Sequence, residues 1–263
     1  MSGNSAFEMV SERGWRRGLG NMLDNEFAHW WGTRMWWVQC LIWIAVVGFF
    51  LGAVIFGSST FQYSEAVMLY SIFAGLFPAV GVIIIMQNTI VGEKRDGTAA
   101  WVLSKPVSRP AFILSKLLAN SLGVLVTMVL VPGLAAYALL SLASKAMLDP
   151  LHFLLAFGVI FLSHLFYLTF TLMLGTFFRG GGPVIGLALA LLFLQQYLVG
   201  LLPVTRYLVP WTLVIPLNNT NNAVVPNLLQ GQPAGSYTLI AAVAVEIVLF
   251  TLISVYRFNR EEF

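Results

Sequence analysis

The sequence predicts an all-α integral membrane protein built on six spanning helices, and three observations carry that expectation. Hydrophobic residues make up 59% of the 263-residue chain and charged residues only 10%, against roughly 45–50% and about 25% in a soluble domain. The apolar residues gather in six long runs, each close to or above the ~20 residues that cross a bilayer as a helix. Lys and Arg fall almost wholly on alternate connections between those runs. This composition excludes a disordered chain, a disulfide scaffold and an extended solvent-facing enzyme surface. The net charge of +3 comes from residues flanking apolar runs, as topology signals and anionic-lipid contacts do, so no nucleic-acid partner is expected.

Residues 1–34 form a polar and aromatic N-terminal segment ahead of a transmembrane domain over 35–263. Trp15, Leu19, Met22, Leu23, Phe27, Trp30 and Trp31 recur there at helical spacing among Arg16, Arg17, Asp24 and Glu26. That pattern suits an amphipathic helix lying in the cytoplasmic interface with its indoles at headgroup depth, although Gly14, Gly18 and Gly20 weaken its start. With the first apolar run beginning at Met35, no cleavable signal is expected. Spans are expected at about 35–57, 66–91, 112–142, 151–178, 183–202 and 237–256. Backbone groups in lipid must be satisfied within the segment, so these are helices, and they lack the alternation of barrel strands. Cys40 falls inside the first run as a small buried residue. Gly180, Gly181, Gly182 and Pro183 read as a tight reversal or a hinge. Between the fifth and sixth spans, Pro203, Pro210, Pro216, Pro226 and Pro233 break an apolar stretch into short helices that dip into or lie on the external face. Asn218-Asn219-Thr220 fits a glycosylation sequon and carries no functional weight. No internal repeat points to an inverted-repeat transporter.

Orientation follows from the basic residues. Twelve of the 14 Lys and Arg lie in the N-terminal segment, the 92–111 connection with Lys116, the fourth-to-fifth connection and the C-terminus; only Lys145 and Arg206 lie on the other side. Both termini and the 92–111 loop are therefore expected in the cytoplasm, in a cell membrane.

That loop concentrates the charge. Seven of the chain's 25 formal charges lie between Gly92 and Lys116. Asp96 or Thr98 can cap a short helix carrying Trp101, Val102 and Leu103, and Pro106 would stop it. Gly92 and Gly97 before Thr98 lack the Lys and the preceding strand of a phosphate loop, so the chain is not its own ATPase. Such a helix is either something a partner grips or a lipid-facing turn that only fixes topology.

The run Glu93-x-x-x-Gly97-Thr98, then Leu103-Ser104-x-Pro106-Val107-Ser108-Arg109, then Lys116, resembles the signature of the ABC-2 type transporter permease family in both spacing and topological place. The resemblance extends to the interfacial helix, the external segment and the overall length. It implies that residues 92–111 form a coupling helix docking on a separate ATPase subunit, which would hold ATP and Mg; no cofactor is implied on this chain. In that reading Glu93 caps or salt-bridges the loop and Gly97 permits its turn. Thr98 belongs to the same motif, Trp101 and Leu103 supply apolar contact, and Pro106 and Arg109 end the helix and pair with the partner. Two permease subunits, identical or related, would pair above two ATPases and move substrate out without bond chemistry of their own.

Polar residues inside the spans are the remaining candidates. Glu246 lies at mid-depth of the sixth span. His164 is central in the fourth, with Tyr167, Thr171 and Gly175 continuing its face, and Gln195 and Gln196 sit in the fifth. They either line a translocation path or hydrogen-bond between helices. His29, His152 and His164 share no ligand spacing, so no metal site is expected. Rival readings are a channel or ion-coupled carrier using Glu246, and a membrane enzyme or scaffold without an ATPase. The residues do not choose a substrate.

Overall fold

The computed structural model describes residues 14–57, 61–216 and 223–261. The described residues form helices and connections, with no strand among them. Helix α1 (Leu19–Trp31) follows a single 3-10 turn at Gly14–Arg16. The spans then follow: α2 (Met35–Gly57), α3 (Tyr63–Arg95), a composite third span over Arg109–Ser144, α7 (Pro150–Phe177), α8 (Gly181–Leu201) and α11 (Tyr237–Asn259). The short helix α4 (Thr98–Leu103) joins the second span to the third, which comprises α5 (Arg109–Val124), a π-helical segment over Leu125–Leu130 and α6 (Val131–Ser144).

The first span has the expected bounds, whereas the second and sixth run past theirs. Hydropathy marks where lipid ends, but i→i−4 hydrogen bonding continues through Glu93, Lys94 and Arg95 and through Arg257 to Asn259. Residues 93–95 are thus the last turn of α3, and Arg109 already belongs to α5. The third span contains Pro132, which lacks an N–H and crowds the carbonyl four residues back. The wider π segment falls just before α6 and takes up that mismatch.

Helix α7 is the centre of the bundle, with α3, α11 and α10 (Val224–Leu229) packed around it. It is also the most buried span, while α2 and α11 are the least buried and carry outward-facing apolar side chains such as Phe49, Phe56, Val248 and Leu252. Those faces suit lipid or another membrane helix. Aromatic rings line the seams: Phe50 stacks on Phe73 between α2 and α3, beside Phe77, and Phe250 of α11 meets Phe166 edge-on and Phe170 at a tilt on α7.

The proline-broken segment does form short helices: a 3-10 turn at Pro203–Tyr207, α9 (Trp211–Val214) and α10. Every residue of α10 is buried, and the Leu229 carbonyl accepts a 2.7 Å hydrogen bond from the Tyr63 hydroxyl. Gly75 of α3 admits the Val214 side chain, which a Cβ there would overlap. The segment is therefore packed into one end of the bundle. The Asn218–Asn222 patch and its sequon lie outside the described residues. At the other turn, Gly181, Gly182 and Pro183 open α8, leaving only a short non-helical link after Phe177.

Candidate functional site at the charged end of the bundle

The end of the bundle carrying α4 also carries α1 and the C-terminal turn, held there by specific bonds. Gly97 has φ +71°, in the left-handed region that glycine enters without strain, and this residue turns the chain from α3 into α4. The expected side-chain cap is not formed: Gly97 occupies the N-cap position, Asp96 bonds Arg95 at 3.0 Å, and the Thr98 hydroxyl donates back to the Glu93 carbonyl at 3.3 Å. Glycine at the N-cap has no side-chain oxygen to offer and is tolerated there at a cost of only a few tenths of a kcal/mol relative to a capping side chain. α4 stops at Leu103, before Pro106, as a pre-proline backbone requires.

Within α4 the faces divide. Ala99 is buried and Val102 and Leu103 pack on the bundle, while Trp101 is 63% exposed with the Lys105 ammonium 3.5 Å from its ring centroid. Leu103, expected to face a partner with Trp101, thus belongs largely to the inner face. Trp101, Lys105 and Pro106 form the outward surface.

Below α4 the motif residues act as staples. Lys116 is 2% exposed, yet it enters a helix face with Phe112, Ala119 and Gly123. Its ammonium donates to Glu93 Oε1 and, at 2.7 Å, to Glu26 Oε1, joining α3, α5 and α1. Ser108 accepts from Ala111 N at 3.2 Å as the N-cap of α5, and its own hydroxyl and N–H both bond the N-terminal segment at the Trp15 and Arg17 carbonyls. Arg109 donates to the Phe258, Asn259 and Glu261 carbonyls at 2.7–3.2 Å, at the C-terminal end of α11. Lys94 reaches Glu261 at 2.7 Å and the Thr176 carbonyl at 2.9 Å. In this chain Glu93 forms a salt bridge, Gly97 forms a turn and Arg109 is engaged with the C-terminal carbonyls.

Helix α1 is bound more deeply than an interfacial helix needs. Trp30 is 7% exposed, its indole N–H donates to Asn120 Oδ1 at 3.1 Å, and a Cβ on Gly123 would lie 2.5 Å from its ring. Trp30 faces protein, contrary to the headgroup placement expected of all the indoles; Trp15 is exposed and Trp31 half-buried. The contacts made by Glu26, Asn120, Ser108 and the Lys94–Glu261 pair are not foreseen in the sequence reading. The one available signal was Lys116 itself, because a lysine in an apolar helix demands a partner.

The in-span polar residues separate. His164, Tyr167, Thr171 and Gln195 are all buried, and their polar side-chain atoms, the Gln195 amide nitrogen apart, make no hydrogen bond of normal geometry among the described residues, although the Tyr167 hydroxyl lies beside Gln195 and the His164 ring beside the Ala74 backbone. Gln195 and Tyr167 line one small cavity with Ser163 and Trp211, beneath α9. Gln196, one residue on, is exposed. Glu246 is half-buried on α11, one turn from Phe250 along the stripe that faces α7, and its Oε2 is buried without a partner among the described residues. Cys40 is buried. Among the described residues, no three His, Cys, Asp or Glu side chains are grouped to hold a metal ion.

A profile of the family described as ABC-2 family transporter protein matches residues 15–263, which is nearly the whole chain. The chain belongs to the ABC-2 transporter family. No curated protein matches it significantly. Membership and the six span-length apolar helices among the described residues together make this ABC-2 protein a multi-pass membrane protein of a transport family. The matched region begins at Trp15, so it takes in α1 and the Ser108 contacts at Trp15 and Arg17 as well as the six spans.

Proposed function

We propose that this ABC-2 chain is the permease subunit of an ATP-driven exporter, both termini cytoplasmic, and that α4 is the helix through which a separate ATPase moves the bundle. The observation that carries the reading is the division of α4: an exposed Trp101 and Lys105 outward, and an inner side continuous with Glu93 and, through Lys116, with three helices. A push on such a helix is delivered to α1, α3 and α5 together. Two permease and two ATPase subunits would form the complex, with ATP and Mg on the ATPases, and the lipid-facing sides of α2 and α11 are free for the second permease. His164, Tyr167, Gln195 and Glu246 are the candidates for the translocation path, since unpartnered polar atoms in a span are costly unless another conformation uses them.

Affinity purification of the tagged full-length chain from its native membrane tests this. A nucleotide-binding protein should co-purify, and Trp101→Ala should release it about tenfold or more, as loss of a buried aromatic anchor does, while leaving the thermal melting of the permease unchanged. Absence of any nucleotide-binding protein, or transport indifferent to Trp101→Ala, would overturn the reading. The unpartnered Glu246 carboxylate favours one alternative, an ion-coupled carrier. In that case transport in vesicles persists without ATP and collapses in Glu246→Gln.

A further inference from the structure

Between α1 and the charged ends of the first three spans lies a cavity of about 660 Å³, within the ~300–1,000 Å³ typical of small-molecule pockets. Its floor is buried: Trp30, Gly92, Lys116 and Asn120. Its rim is exposed and includes Ala28, Asn88 and Asp96.

The charges lining this cavity do not balance. Glu26, Glu93 and Asp96 face one permanent cation, Lys116, with the imidazole of His29, neutral at pH 7 in the formal count, at the exposed rim. The Lys116 ammonium is already bonded to Glu26 Oε1 and Glu93 Oε1, and one positive charge cannot neutralise both carboxylates. No donor among the described residues is bonded to the second oxygen of either. Asp96 is held by Arg95, which does not line the cavity. Beside this surplus of negative charge stand Trp30, Met35 and Ile85, an aromatic ring and two apolar side chains. Half-buried carboxylates in a cavity favour a cation that can hydrogen-bond to them, and an indole adds attraction for the same charge.

We propose that this cavity binds the ammonium group of an amphipathic organic cation, the carboxylates of Glu26 and Glu93 taking the N–H groups and the Trp30–Met35–Ile85 wall taking the apolar part. The inference deepens the exporter reading and rests on it for its role: the site is where cargo meets the permease from the cytoplasmic leaflet. Glu93 then has two duties, because its side chain lines the cavity while its carbonyl accepts from Thr98 at the start of α4. Movement of α4 would move a wall of the site.

An ammonium group can come from a lipid headgroup or from a free molecule, and binding to the full-length chain in phosphatidylcholine nanodiscs separates them. Rhodamine 6G, a cationic amphiphile, is followed by fluorescence anisotropy against empty nanodiscs. Saturable binding, displaced by dodecylammonium and not by dodecyl sulfate, is expected. Glu26→Gln should weaken it about tenfold, as loss of one charge-assisted hydrogen bond does. Ala28→Trp, which fills the cavity from its exposed rim and leaves the Lys116 pairs intact, should weaken it at least as much. Displacement on adding phosphatidylethanolamine assigns the site to a lipid headgroup, and indifference to it assigns the site to a free cation. No saturable binding, binding unchanged in Ala28→Trp, or displacement by dodecyl sulfate would overturn the proposal. Because neither ATP nor an ATPase is present, saturable binding by a chain that associates with no ATPase would sink only the exporter reading. ATP-driven transport by a chain that binds no cation here would sink only this one.

Discussion

Lys116 is the residue on which the charged end of the molecule depends. Its side chain is withdrawn from solvent and its ammonium is bonded to carboxylates on two other helices. Removing one partner of a buried ion pair leaves an uncompensated charge and typically costs about 3–5 kcal/mol, so Lys116→Ala, which strands two carboxylates, should lower the stability of the folded chain by at least that amount. Glu93→Gln, which keeps a hydrogen-bonding oxygen and leaves Glu26 in place, should cost clearly less. Thermal melting in detergent ranks the two variants, and equal losses would contradict the central role of the lysine. The sequence shows Lys116 only as a basic residue at the head of a span and as the last residue of a motif. Its partner Glu26 is 90 residues away, and no local pattern encodes a pairing across that distance. The same holds for Arg109, whose acceptors are carbonyls about 150 residues on: charge and spacing make it conspicuous, while what it holds is set by how the last helix ends.

At the scale of elements, the spans were the legible part and the helix ahead of them was half legible. Six apolar runs have one outcome in lipid, and composition alone prescribes it. The Trp and Leu spacing of residues 15–31 prescribes an amphipathic helix and no more, since lipid and a neighbouring helix satisfy the same apolar stripe. What decides for protein at Trp30 is a pair of residues on another helix: Asn120 to receive the indole N–H and Gly123 to leave room for the ring. Gly123→Leu should therefore eject Trp30 and loosen α1 from α5, raising hydrogen exchange across residues 19–31 while exchange in α7 stays as it is. Exchange unchanged over α1 would mean that the helix is held by its Glu26 contact and by the Ser108 bonds to Trp15 and Arg17 just ahead of it. The π segment ahead of Pro132 escaped notice for a related reason: an apolar run reads the same whether its helix is regular or widened by one residue per turn.

For the whole molecule, the bonds at the charged end place α1, α4 and the C-terminal turn together, and α9 and α10 close the opposite end. Sidedness is what those contacts leave open, because a bundle can be inserted either way up and only the asymmetry of Lys and Arg sets a direction. The single native cysteine, Cys40, is buried, so a Cys40→Ala background gives a clean test of it. In that background Lys105→Cys probes the outward surface of α4 and Met147→Cys the link between the third and fourth spans, where Met147 is 83% exposed. In intact cells a membrane-impermeant maleimide should label the position-147 variant and spare the position-105 variant, and permeabilisation should expose the second. The reverse pattern would put α4 outside, where no cytoplasmic ATPase could reach it. It would also turn the carboxylate-lined cavity to the outer leaflet, so one labelling experiment bears on the coupling helix and on the direction from which any cation arrives.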